Sequence, residues 1–136
     1  MHILALERML TEADHARLAP WVRAGAPAGF DTAALETLLD SARLVAACDI
    51  PPDVVTMNSQ VVLAWPAGRH KQLTLCYPED AAPSVGLVSV LSPVGSSLLG
   101  LRVGEWARWC TPLGEHCSAE VIDIPFQPEA HGNDTM

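Results

Sequence analysis

The chain has 136 residues, 49% of them hydrophobic, which fits one globular domain or a small domain with an appendage and excludes a disordered polymer. Sixteen acidic residues against eight scattered basic ones leave a formal charge of −8, which argues against holding nucleic acid by phosphate neutralisation and suits a basic protein partner. The N-terminus lacks the charged start and apolar core of a signal peptide and no run approaches the ~20 apolar residues of a membrane span, so a cytoplasmic protein without a membrane partner is expected.

Two helical segments are predicted first. Thr11-Glu-Ala-Asp14 has capping-box spacing, with Asp where Glu is usual. The helix it opens carries Leu18, Trp21 and Val22 and ends at Ala24-Gly-Ala-Pro-Ala-Gly29. Asp31 or Thr32 can cap a second helix, along which Leu35, Leu38, Leu39, Ala42 and Val45 form an apolar stripe. Joined by a short loop, the two make an antiparallel hairpin with arms of roughly 14–17 residues, too short to be stable without a body to lean on.

Asp49-Ile-Pro-Pro-Asp53 then forbids helix and favours an extended hinge. Strands are predicted over Val54–Ala64 with a break at Met57-Asn58-Ser59, over Gln72–Tyr77, Leu87–Leu91, Glu105–Cys110 and Glu120–Phe126. Trp65–Gly68 and Pro112–Glu115 read as hairpin turns. Gln127–Met136 is polar and reads as a frayed end. Strands in succession around one short helix give an α+β fold with an antiparallel sheet.

That helix is the most informative segment. Ser92 is a good N-cap, Pro93 fits the first helical position, and Gly100 and Gly104 punctuate the end. Leu98, Leu99 and Leu101 supply an apolar face, while Ser96 and Ser97 place two hydroxyls and no charge on its lip, a surface suited to docking against a protein. Other chemistry is weakly signalled. Met57-Asn58-Ser59 has no histidine nearby in sequence, and its side chains are expected to bond local backbone. Gly95-Ser-Ser has neither a P-loop nor a dinucleotide-binding pattern around it.

Four cysteines make no CxxC pair, so neither a zinc ribbon nor a secreted disulfide framework is indicated. A four-residue Pro112–Glu115 loop would put Cys110 opposite Cys117, at the short end of disulfide range. Two reduced thiols are the expectation in a cytoplasmic protein.

Three blocks, Asp53–Ser59, Leu73–Asp80 and Ser92–Gly104, with Phe126–Ala130 after them, together resemble the regulators of nucleoside diphosphate kinase. These are small bacterial relatives of the Gre transcript-cleavage factors. The resemblance is specific from about residue 50 to 130, while over the hairpin only the layout agrees. It implies an N-terminal coiled coil over residues 1–50 and, over 51–136, a domain with the fold of FK506-binding proteins. It also implies binding to bacterial RNA polymerase near the secondary channel. The surface implied for that contact is Tyr77, Pro78, Glu79 and Asp80 with Ser92, Pro93, Val94, Gly95, Ser96, Ser97 and Leu98, of which Leu98 is by type a core residue.

Gre factors carry acidic residues at the tip of a long coiled coil, where they hold magnesium. The corresponding turn here, Ala24–Phe30, has no carboxylate, and Asp31 beside it suits capping better than metal binding. The expectation is a monomeric, non-enzymatic regulator without cofactor or metal, one that competes with Gre-type factors and stimulates no cleavage. Two alternatives stand beside it. One is a peptidyl-prolyl isomerase, suggested by fold analogy and ill served by two Phe and one Tyr. The other is a direct partner of nucleoside diphosphate kinase.

Overall fold

The computed structural model describes residues 8–23, 32–111 and 113–131. A five-stranded sheet, ordered β5-β4-β3-β7-β6, forms the body. It comprises β3 (Gln60–Ala64), β4 (His70–Cys76), β5 (Leu87–Ser89), β6 (Trp106–Cys110) and β7 (His116–Phe126). The strand regions follow the alternation in the sequence: along β3, Val61 and Leu63 are buried while Gln60, Val62 and Ala64 are not. Pairing is antiparallel except between β4 and β5, which run parallel and correct the all-antiparallel expectation. The chain crosses between them through two 3₁₀ turns, Pro78–Asp80 and Pro83–Val85, and so enters β5 in the direction of β4.

The sheet curls at β7, whose pairing with β3 shifts register between Gln60 and Val62 and again between Val62 and Leu63. The first shift accommodates Pro125, which has no N–H to give to a regular ladder. Helix α3 (Pro93–Leu98) packs on β6, where Ala107 lies directly opposite Ala119 of β7 and both are fully buried. Two methyl groups at that crossing leave room for the helix to approach the sheet.

The N-terminal arm holds β1 (Met9–Thr11), α1 (Glu12–Arg23), α2 (Ala33–Ser41) and β2 (Arg43–Val45). Its helices are shorter than expected, at 12 and 9 residues. The stripe extrapolated to Val45 breaks at Ala42, because Arg43–Val45 leaves the helix to pair in parallel with β1. Thr32 occupies the N-cap position of α2 without a side-chain capping bond, and the turn between α1 and α2, with Asp31, lies outside the described residues. Leu10, Leu18, Leu35, Leu38 and Leu39 of the arm belong to one buried cluster with Val55, Met57, Leu75, Leu98 and Leu99 of the body. The arm therefore leans on the body, as short helices must.

The Pro51-Pro52 connection is tied down. Ile50 and Val54 are buried on either side of it, and the buried Gln127 donates Nε2 to the Pro51 and Val54 carbonyls, each at 2.8 Å. The expectation of a frayed end is corrected over residues 127–131, where Gln127 is core and Glu129–His131 form a 3₁₀ turn, while residues 132–136 lie outside the described residues. Among the described residues no helix is long and apolar enough to cross a membrane.

Candidate protein-docking site

The site grows from Ser92. Its Oγ accepts a hydrogen bond from the Gly95 N–H at 3.1 Å and donates to the Ser89 carbonyl at 2.7 Å, so one hydroxyl both caps α3 and fixes the turn before it. Pro93 follows at the first helical position, where no N–H is missed. At Gly95 the turn comes so close that a Cβ would lie 2.0 Å from the Ser89 oxygen. Gly100, at φ +85°, ends the segment against Arg8, whose Nη1 donates to the Leu99 carbonyl at 3.2 Å. Burial lowers the Arg8 pKa, and Glu105 opposes that shift.

The hydroxyls expected on an exposed lip turn inward. Ser96 Oγ donates to the Pro93 carbonyl at 3.2 Å and Ser97 Oγ to that of Val94 at 2.6 Å, and both residues are buried. Hydroxyls in a helix commonly bond back to the preceding turn. Gly95, Ser96, Ser97 and Leu98 are thus the frame of the helix, all four being buried. Its exposed surface is Pro93 with the half-exposed Ser92 and Val94.

Beside it, both α3 and the Pro78–Asp80 turn adjoin β5. Glu79 and Asp80 are exposed and Pro78 partly so. An apolar ridge and a two-carboxylate rim therefore border the same short strand. At a rim, such charges steer approach more than they add affinity. Val85, 73% exposed, sits on the neighbouring turn before β5. Sequence reasoning passed over it, since one exposed valine carries no pattern.

Tyr77 does something else. Its ring packs on the core and its hydroxyl is enclosed, with the Arg17 charge acting on it. Burial, with the charge of Asp14, pushes its pKa up to about 12. Asp14 is buried too, and its Oδ2 accepts from the Met57 N–H at 3.1 Å, tying α1 to the body. Burial raises its carboxyl to about 6, with Glu129 acting in the same direction, against the Met57 N–H, Arg17 and Thr11. Glu129 in turn accepts from Thr56 Oγ1 at 2.7 Å, and Ser59 Oγ accepts from the Thr56 N–H at 3.0 Å. The Met57-Asn58-Ser59 break is thus bonded through local backbone, with Asn58 at φ +68°. The only hint of this polar seam was Asp in place of Glu in the capping box.

Among the described residues, no three His, Cys, Asp or Glu side chains come together in a way that could hold a metal ion. The β6–β7 register corrects the cysteine reading: Cys110 lies opposite His116 and Cys117 opposite Trp109, because the loop has five residues, closed by the Thr111 N–H on the Glu115 carbonyl.

Residues 50–126 match the family described as transcription elongation factor GreA/GreB, C-terminal. The chain belongs to that family. Among GreA/GreB relatives, the regulator of nucleoside diphosphate kinase from Escherichia coli K12 is 42% identical over 101 residues, 74% of each chain. GreA of Geobacillus kaustophilus is 34% identical over 82 residues, and there the alignment spans only about half of the relative, 52%. The solved structure titled prokaryotic transcription elongation factor GreA/GreB from Nitrosomonas europaea superposes with a TM-score of 0.74 at 34% identity, covering 88% of this chain and all of that one. The GreA/GreB-type body thus carries the α3 segment, the Pro78–Asp80 turn and the Thr56–Ser59 and Tyr77 side of the polar seam, while Asp14, Arg17 and Glu129 lie outside the matched residues.

Proposed function

We propose that this GreA/GreB-family chain is a non-enzymatic transcription regulator that docks on bacterial RNA polymerase near the secondary channel. It occupies the site of the longer Gre-type factors and competes with them. The contact surface is Pro93, Val94 and Ser92 of α3 with Pro78, Glu79 and Asp80, while Gly95, Ser96, Ser97 and Leu98 hold α3 in shape and Tyr77 anchors the neighbouring turn. Residues 51–136 act as the docking domain, with an FKBP-like sheet and helix, and residues 1–50 as its coiled-coil arm.

The observation that carries this reading is the rigid, uncharged ridge at Pro93–Val94, capped by Ser92 and beside two exposed carboxylates. The arm supplies no reaction. At 1.5 Å per residue its helices span only about 18 and 14 Å, and the turn at residues 24–30 has no carboxylate to hold a metal ion. Transcript cleavage on stalled polymerase tests the proposal. Alone, the chain should leave cleavage at its basal rate; added in excess to a Gre factor, it should slow the stimulated reaction. Stimulation by the chain alone, or no effect on the Gre factor, contradicts it.

A further inference from the structure

The end of the β6–β7 hairpin holds a group of side chains that docking through α3 does not use. Cys110 is exposed, and its Sγ stands 3.3 Å from His116 Nδ1, the two being directly opposed across the ladder and so on one face. They line a cleft of about 390 Å³ with Arg108, Trp109, Cys117 and Ser118. That volume is within the range of small-ligand sites, ~300–1,000 Å³. We propose that Cys110 is a reactive thiol that exchanges with small carboxylate-bearing disulfides of the glutathione type, with His116 as its base.

The step balances without a further oxidant. The Cys110 thiol proton passes to His116 Nδ1, and the sulfur attacks one sulfur of the disulfide. A Cys110–S bond forms as the S–S bond of the reagent breaks, and the departing thiolate recovers the proton from His116. The disulfide is reduced to one free thiol while Cys110 is oxidised to a mixed disulfide. Arg108, two residues along the strand and so on the face of Cys110, gives the cleft a cation for a carboxylate of the reagent. The product is not cleared by a neighbour, because register places Cys117 opposite Trp109 rather than opposite Cys110.

The other thiols differ in kind. Cys76 is buried, and burial raises its pKa, helped by Asp80. Cys48 is exposed like Cys110, but its polar side-chain partner is the Asp49 carboxylate, Sγ to Oδ1 3.9 Å, which repels an anionic reagent. Cys48 is therefore an internal control.

The test treats the reduced, full-length protein with limiting glutathione disulfide near neutral pH and maps the modified cysteines by peptide mass spectrometry over time. Cys110 should be labelled about tenfold faster than Cys48, and His116→Gln should slow Cys110 about fivefold or more while leaving Cys48 unchanged. Continued protection of the buried Cys76 in the same sample shows that the substitution has not loosened the fold. Equal rates at the two cysteines, a Cys110 rate indifferent to His116→Gln, or accumulation of a Cys110–Cys117 disulfide would each overturn the proposal.

Discussion

Helices α1 and α3 begin alike and are fixed differently. In each, a hydroxyl accepts the backbone N–H three residues on: Thr11 from Asp14 at 3.0 Å, and Ser92 from Gly95 at 3.1 Å. The third position then departs from the usual Glu in both, for opposite reasons. At α3 the Ser89 carbonyl leaves no room for a side chain. At α1 the Met57 N–H needs an acceptor, and Asp14 reaches across to supply it. Local rules start a helix, while the residue at its third position records what the rest of the molecule brings there. One helix is seated by a close approach and the other by a buried charge.

The largest effect should come from breaking the close approach. Gly95→Ala gains ~1 kcal/mol of helix propensity but must displace the Ser89 backbone, so a net loss of about 3 kcal/mol is expected in urea unfolding.

The buried charge should show as a dependence on pH. Asp14 titrates at about 6 in the folded chain, against an ordinary value of ~3.9 once unfolded. Between those values the native state binds the extra proton, so this group's contribution to stability is full below about pH 4 and falls as pH rises through about 6, by roughly 3 kcal/mol in all. Asp14→Asn keeps an acceptor for Met57 without the charge. It should flatten the pH–stability curve over that window and unfold at a higher temperature than the parent at pH 8. Asp14→Ala leaves the Met57 N–H buried without its acceptor and should cost about 2 kcal/mol.

Smallest of the three are the caps. Ser92→Ala and Thr11→Ala should each cost ~1 kcal/mol. The Ser92 change should be the larger, since Ser92 also donates to Ser89, and the excess should appear as a lower urea midpoint at an unchanged slope.

The same contrast explains what was legible in the sequence. Ser92-Pro93 announced α3 because cap, proline and glycine act within one turn. The strands followed from alternation along Val61–Leu63 and Leu73–Leu75. The arm was harder. β1 and β2 are three residues each and exist by pairing with one another, so Val45 read as the end of a helical stripe. Ser96 and Ser97 read as surface by type, yet a hydroxyl that bonds its own helix can be buried at small cost. The β6–β7 register was missed by one residue, because Thr111 joins the turn instead of the ladder. Glu129 drew attention only as part of a similar block, with nothing local to mark it as a partner of Thr56.

Binding of purified bacterial RNA polymerase by the chain and its Pro93→Asp/Val94→Asp variant tests the docking account most directly. Pro93 is exposed, while Val94 is half-exposed and packs in part against the core, so the variant should keep the parent's circular dichroism, unfold at a somewhat lower midpoint, and lose at least about tenfold in affinity, ~1.4 kcal/mol. Equal binding by a folded variant, or no binding by the parent, would contradict it.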